Sequence, residues 1–468
     1  MFLLQVINDF FWTYVFIGGL LGAGLYFTFK IGFMQFRSIG EMFRVITEKS
    51  KDVDGMRSIS PFKSFAIGAA TRIGTGNLAG VTVAIVLGGP GAVFWMWIVA
   101  LLGGATSFVE STLAQVYKIR DKEAYRGGPA YYIEKGLGQR WLGIIFAVLI
   151  TLTFGLIFNS VQSNTIAGAF DNAFNVSPWV MGAIMTVLTG GIIFGGVHRI
   201  ANFSSVIVPI MAVLYIIIAF VVVVMNISEI PAVLGLIVRS AFGFEQTVGG
   251  GIGAAIMMGV RRGLFSNEAG MGSSPNAAAT ASISHPAKQG FVQTLGVYVD
   301  TLVVSSATAF IILLNTDYHT SKEEGIQLLQ NSLSLQIGGW ASYFIAAAIF
   351  MFAFSSIIGS YYYGETNIEF IKKSKTAINV YRVATMAFVF FGSVASLNLV
   401  WDLADLFMAF MTIINVIAIL LLGKIAFKVL KDYEEQRAQG IDPIFNPKKL
   451  GIKNTEAWDE EESDKMVG

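Results

Sequence analysis

Apolar residues run along this chain in long stretches, without the alternation of a half-buried strand or the one-sided spacing of a surface helix. About 20 apolar residues carry a helix across a hydrocarbon core. Stretches of that kind fall at roughly 11–33, 62–87, 90–116, 141–171, 178–197, 201–226, 249–282, 288–315, 338–370, 379–398 and 402–427, eleven in all. Several exceed 25 residues, which predicts tilt or breaks. Segments 228–242 and 321–336 are too short or too polar to cross and predict short helices at the surface. Two of the stretches are interrupted near their middles. One holds GTGNLAG (74–80), the other RRGLFSNEAGMGSSPN (261–276). Glycine inside a helix costs about 1 kcal/mol relative to alanine. Unpaired backbone facing lipid costs several kcal/mol per group. Both interruptions therefore require a compensating partner.

The interrupted stretches are the second and the seventh. Five crossings apart, they run in opposite directions through the bilayer. That pattern predicts an inverted repeat of two five-helix halves, 62–226 and 249–427, with 1–61 as an extra helix and loop, 227–248 as the connection and 428–468 as a tail. Paired, glycine-interrupted segments at matching positions of two halves point to a transporter's binding site. A break exposes N–H groups at the start of one half-helix and C=O groups at the end of the other. The first suit a carboxylate and the second a cation such as sodium. Glycine lets a ligand approach the backbone. Close helix packing through Gly76 and Gly80, a GxxxG, is the competing explanation. The echo of a dinucleotide loop fails because no strand precedes it.

Composition agrees with lipid as the main solvent. Of 468 residues 54% are hydrophobic and 13% charged, against about 25% charged in soluble chains, and mean hydropathy is +0.64. A net charge of +1 gives no reason to expect nucleic acid. Cysteine is absent, which excludes disulfides, thiolate metal sites and cysteine nucleophiles. His198, His285 and His319 fall at predicted helix ends or in loops, which argues against a histidine-ligated haem. No basic region precedes the first apolar stretch, so it reads as a retained helix rather than a signal peptide. Basic residues cluster in three loops: Arg37, Arg44, Lys49, Lys51 and Arg57; Lys118, Arg120, Lys122, Arg126, Lys135 and Arg140; and Lys372, Lys373 and Lys375. These loops share a side, and the long loops opposite carry only Arg239 and Lys322. The positive-inside rule places the N-terminus outside and the tail in the cytoplasm. The tail, with KDYEEQ and DEEESDK, reads as solvated and partly disordered.

Four motifs carry a family resemblance. GTGNLAGVTVAIVLGGPGAVFWMW (74–97), RGGPAYYIEKGLG (126–138), RGLFSNEAGMGS (262–273) and YYYGE (361–365) resemble the alanine/glycine:cation symporter family, over about residues 60 to 425. The resemblance implies an all-α membrane protein of LeuT type, similar to the amino acid–polyamine–organocation superfamily. It implies sodium-coupled, occasionally proton-coupled, import of small neutral amino acids through a prokaryotic inner membrane, by a monomer with sodium as coupling ion. On the LeuT-like pattern the amides of Thr75 and Gly76 meet the substrate carboxylate, with Asn77 beside it. The carbonyls of Ala70, Ile73 and Phe352 and the hydroxyls of Ser355 and Ser356 would hold sodium. Phe265, Ser266, Asn267, Gln162, Ile357 and Ser360 would surround the rest of the substrate. Where the family often carries a tryptophan after the glycine matching Gly359, this chain has Ser360. That substitution implies a roomier pocket reaching serine or glutamine.

Simpler roles compete with several of these. Adjacent serines in a membrane helix often bond their own backbone, and Gln162 could serve only a helix–helix hydrogen bond. The acids within or near the apolar stretches, Glu110, Glu268, Asp300, Glu365 and Asp402, are functional candidates by default. For Glu268 an ion pair with Arg261 or Arg262 is expected, and Glu110 receives no role. No HExxH, GxSxG or P-loop sequence occurs, which argues against an enzyme or an ATP-driven pump. An ion channel remains a rival, although an internal repeat with two broken helices favours alternating access.

Overall fold

The computed structural model describes residues 8, 11–12, 17–50, 58–121, 124–244, 251–315, 318–319 and 325–458. The basic residues Lys51, Arg57, Lys122 and Lys322, parts of the first stretch and of the 227–248 connection, and the acidic end DEEESDK lie outside them. Helices dominate. In chain order they are α1 (Ile17–Lys30), α2 (Ile39–Ile46), α3 (Pro61–Arg72), α4 (Gly76–Gly88), α5 (Gly91–Val116), α6 (Pro129–Leu137), α7 (Arg140–Phe174), α8 (Pro178–Ile193), α9 (Gly196–Met225), α10 (Ile230–Ala241), α11 (Gly251–Asn267), α12 (Ser274–Ala278), α13 (Ala287–Leu313), α14 (Ile326–Ile337), α15 (Trp340–Ile371), α16 (Lys375–Val394) and α17 (Leu397–Ala438). A one-turn helix, Met34–Arg37, precedes α2. A small antiparallel hairpin, β1 (Ile119–Arg120) with β2 (Tyr125–Arg126), pairs Ile119 with Arg126.

Among the described residues, α5, α7, α9, α13, α15, α16 and α17 are long and apolar enough to cross a membrane, and α3 with α4, bent by 49°, makes an eighth span. The protein is a multi-pass membrane protein. Both interruptions read from the sequence are real breaks. Ser60 caps α3 by accepting from the Lys63 amide at 3.2 Å, with Pro61 at the first helical position, a common helix opening. The helix ends at Ile73, whose ψ of 91° is extended. The second stretch divides into α11 and α12 around Glu268, Gly270 and Gly272, with φ of 59°, 87° and 80°. Glycine adopts such values without a Cβ penalty.

The helices pack in two groups. In one, α11 and α13 lie against α5, and α4 against α11; in the other, α15 and α16 lie against α7, and α16 against α8. α9 touches α3 and α15, and α3 itself meets α15, so the first break lies on the seam between the groups. The first group packs tightly because glycines sit where side chains would collide. A Cβ on Gly259 would come 2.6 Å from the Ala92 carbonyl, and one on Gly290 would come 2.5 Å from the Phe108 ring. Small residues at helix contacts are how membrane helices approach closely.

Two expectations need correction. α14 is a short helix as expected, but one of its faces is packed into the bundle while Leu335 stays exposed. It buries Ile326, Leu328, Leu329, Gln330, Ser332 and Leu333, and Gln330 donates to the Ala169 carbonyl at 3.1 Å. The described part of the tail is folded onto the bundle, with charged side chains such as Lys431 left exposed. α17 continues to Ala438, and residues 441–458 return to the bundle. The Phe445 amide donates to the Ser284 carbonyl at 2.9 Å, and Trp458 Nε1 donates to the Gln115 carbonyl at 2.9 Å. The Lys118 ammonium lies 3.9 Å from the Tyr125 ring centre and 4.6 Å from that of Trp458. Charge suggested solvation, but two aromatic side chains give this segment enough apolar surface to bury. Between it and the bundle lies a cavity of about 880 Å³, lined by Tyr131, Lys135, Arg140, Phe370, Phe445 and Trp458 among others. None of its lining residues belongs to the break in α3–α4.

Candidate functional site

The break between α3 and α4 is enclosed by α7, α11, α13 and α15. Three π-helical turns meet this region: Gly76–Gly80 opening α4, Thr153–Phe158 in α7 and Val299–Ser305 in α13. Such turns re-aim side chains and concentrate at functional sites.

On the amide side, protein groups bond the opened backbone. The Gly74 amide donates to Asn77 Oδ1 and the Thr75 amide to Gln162 Oε1, both at 3.0 Å. Asn77 Nδ2 donates to Asp300 Oδ1 at 2.7 Å and to Ser305 Oγ at 3.0 Å. The other Asp300 oxygen accepts from Ser266 and from Thr301, each at 2.8 Å. Asp300 is fully buried, and these donors satisfy a carboxylate that burial would otherwise penalise. Gly76 lies flat against α11: a Cβ there would be 3.0 Å from Ser266 Cα and 3.1 Å from Phe265 Cδ1. Thr75, Gly76, Asn77, Gln162, Phe265 and Ser266 are thus gathered at one place. Asn267 contacts Thr301 at 3.3 Å, while its carbonyl accepts from Arg72 Nε at 3.1 Å. Ile357 and Ser360 are buried on α15, next to and one turn beyond Ser356, and no hydrogen bond described for either links it to the break.

The carbonyl side gathers hard oxygens. Ser356 Oγ donates to the Ala70 carbonyl at 2.7 Å and to that of Phe352 at 3.0 Å, and Ser355 Oγ donates to Phe352 at 2.8 Å. Four of the five expected sodium ligands are therefore linked by hydrogen bonds, of which the Ser356–Ala70 bond crosses the seam. Ile73 lies in the extended link, and a Cβ on its neighbour Gly74 would collide with Ser356 Oγ. Two hydroxyls with lone pairs and carbonyls at a helix end form an oxygen set suited to sodium. The bland reading also has a part here, since both serines bond the backbone of their own helix.

Arg72 is the residue that sequence reasoning missed. It closes α3, is buried, and reaches Asn267 on α11 and Gln293 on α13, the latter at 2.9 Å. It ties one broken helix to the other. An arginine two residues before GTGN, inside an apolar stretch, was the available signal. The expected Glu268 ion pair does not form. Arg262 and Arg261 instead face Asp405 on α17, the second at 3.5 Å. Glu268 accepts from Ser273 at 2.6 Å and Ser274 at 3.0 Å. The left-handed backbone at Glu268 turns it away from its own helix, so a spacing counted in helical turns misplaces it. Beyond the break, Phe265 stacks between Phe158 at 4.5 Å and Trp401 at 4.7 Å, with Arg262 over Trp401 at 4.4 Å.

A sequence profile of the sodium:alanine symporter family matches residues 1–447. The chain belongs to this family. The amino-acid carrier protein AlsT of Bacillus subtilis is 58% identical over 463 residues, covering 99% of this chain and 98% of AlsT. GlnT of the same organism, named a probable sodium/glutamine symporter, is 56% identical, covering 97% of this chain and 95% of GlnT. The solved structure of MhsT in complex with L-phenylalanine matches the fold with a TM-score of 0.53, 14% identity, and coverage of 86% and 96%. The family resemblance seen in the four motifs therefore holds, together with a LeuT-type fold. This member of the sodium:alanine symporter family is a transporter and not an enzyme.

Proposed function

We propose that this chain is a sodium-coupled symporter that imports small neutral amino acids by alternating access. The observation that carries this is the break at 73–76. Its amides face Gln162 and Asn77, and its preceding carbonyls face the hydroxyls of α15. In this reading a substrate carboxylate displaces the Gln162 oxygen from the Thr75 amide and reaches the Gly76 amide. Gln162, Asn77, Ser266 and Asn267 hold its polar groups, and Phe265, Ile357 and Ser360 shape the side-chain pocket. Sodium lies among Ala70, Ile73, Phe352, Ser355 and Ser356. It replaces hydrogen bonds that the serine hydroxyls now make to carbonyls, which couples the ion to the join between α3 and α15. The stack of Phe265 with Trp401, backed by Arg262 and Asp405, closes the pocket on one face.

The architecture that goes with this function has eleven spans, the first outside an inverted repeat of 62–226 and 249–427, joined through 227–248. The N-terminus is outside, the C-terminal segment from 428 is cytoplasmic, and the unit is a monomer in a prokaryotic inner membrane. Alanine and glycine are substrates. Ser360 extends the range to serine and glutamine, because each further methylene that the pocket buries adds about 0.8 kcal/mol. The name of GlnT supports the larger substrate. Competition against labelled alanine by a panel of neutral amino acids, in sodium and in choline buffer, tests the range. Glutamine should compete in the wild type and lose competition in Ser360→Trp, with alanine uptake spared. Equal loss of both, or of neither, would show that Ser360 does not set substrate size. Proton coupling is the second reading, favoured by the fully buried Asp300 beside the break. In that case a pH gradient replaces sodium as the driving force.

A further inference from the structure

The acid of FVESTLAQVYK, Glu110, lies on α5 and is fully buried. Its carboxylate points at the second break. Oε1 accepts from the Gly270 amide at 3.0 Å, and Oε2 accepts from the Gly272 amide at 3.1 Å and from Asn415 Nδ2 at 2.8 Å. Asn415, on α17, also donates to the Gly270 carbonyl at 2.9 Å and accepts from the Tyr132 hydroxyl on α6. Three helices thus converge on one non-helical turn, and the carboxylate takes two of the amides that the break leaves without helical partners. Gly270 and Gly272 have φ of 87° and 80°, which turns both N–H groups the same way. Gly272 has no room for a side chain, since a Cβ would sit 2.7 Å from Pro129 Cγ and 2.8 Å from Asn415 Cγ.

The two sides of the turn are held differently. The α11 side is held by Asp300 on Ser266, by Thr301 on Asn267 and by Arg72 on the Asn267 carbonyl. None of these needs Glu110. The turn leading to α12 has Glu268 bonded to Ser273 and Ser274 from within, and from outside it is held by Glu110 and by Asn415, which itself bonds Glu110. We propose that Glu110 is a positioning residue that anchors the unwound turn 268–273 to α5, and that this anchor sets the rate of turnover while leaving the substrate-facing end of α11 in place. The effect on turnover rests on the transport reading above; the anchoring itself does not.

Glu110→Gln is the variant of choice. It has nearly the same shape, but in either orientation its NH2 group faces a donor: the Gly270 amide, or the Gly272 amide together with Asn415 Nδ2. Hydrogen exchange of the purified full-length protein and uptake in proteoliposomes are read side by side. Exchange in peptides covering 268–280 should rise about tenfold or more, with peptides from α3 and α7 unchanged, because one local opening is affected and not the whole fold. The maximal rate of alanine uptake should fall about tenfold, with half-saturation for alanine within about threefold of wild type. Asn415→Ala, which removes one bond to Glu110 and one to Gly270, should raise exchange in the same peptides by less, and provides the test if Glu110→Gln does not insert. Unchanged exchange in 268–280, or a rise spread over all peptides, overturns the anchor. A changed half-saturation with an unchanged maximal rate overturns its role in turnover. If the wild type itself transports nothing, the transport reading fails, and the exchange data still decide the anchor.

Discussion

Ser356 is where two elements distant in sequence meet. Its hydroxyl donates to Ala70 on α3 at 2.7 Å, and Ser355 stands beside it. These hydroxyls donate to carbonyls, and in the sodium site proposed above they would rotate to offer lone pairs to the ion. Ser355→Ala with Ser356→Ala is therefore expected to raise the sodium concentration for half-maximal uptake at least tenfold, while the protein still reaches the membrane. Alanine is close in volume and leaves no large cavity, so stability should fall by about 2 kcal/mol, a typical hydrogen bond for each hydroxyl lost. Uptake with wild-type sodium dependence would remove the site assignment. The residues of the first break were legible: GTGN stood out as a polar interruption of an apolar stretch, whereas FSS was reached only through the family resemblance. Their partners were not. Asn77 bonds Asp300, and Gln162 bonds the Thr75 amide, across separations in sequence that no local pattern encodes.

At the scale of elements, α11 illustrates both what a sequence gives away and what it withholds. Its glycine-rich interruption marked the break, and the structure has one there. The partner of its arginines was misread, because Glu268 is near in sequence while Asp405 lies on α17. A buried cation needs a countercharge, and sequence spacing does not say which acid supplies it. The structure makes a quantitative claim. Removing one partner of a buried pair costs about 3–5 kcal/mol, because the other charge is left uncompensated. Asp405→Asn should thus lower the thermal midpoint of the detergent-solubilised protein by several degrees. Arg261, at 3.5 Å from Asp405, contributes less, so Arg261→Gln should lower it by a smaller amount. A midpoint unchanged by Asp405→Asn would mean that the arginines are neutralised elsewhere.

At the scale of the whole molecule, hydropathy located the seven long apolar helices and the bent pair α3–α4 among its eleven expected stretches, because crossing lipid imposes a length that can be counted. It failed for the C-terminal segment, where charged residues mask the aromatic anchors Phe445 and Trp458. That segment closes over His285, whose ring packs against Tyr433 and Phe445 and lies 3.3 Å from Asp432. Burial holds His285 below the ordinary histidine value of 6.5. The unfolded chain therefore takes up a proton below that pH that the folded chain does not. Stability must then fall as the pH drops through about 6.5 and below. A thermal midpoint that declines from about pH 7 to about pH 5 in the wild type, and declines less in His285→Gln, is the expected outcome. Equal slopes would assign the effect to other groups.

The claim on which the rest depends is that a sodium gradient drives an amino acid through the seam between the two helix groups. Purified protein in sealed proteoliposomes, given labelled alanine and an inward sodium gradient without ATP, measures it directly. The account predicts accumulation above the outside concentration that collapses when choline replaces sodium or when the gradient is dissipated. Accumulation that persists in choline and follows a pH gradient instead, or sodium entry without any amino acid, would contradict it.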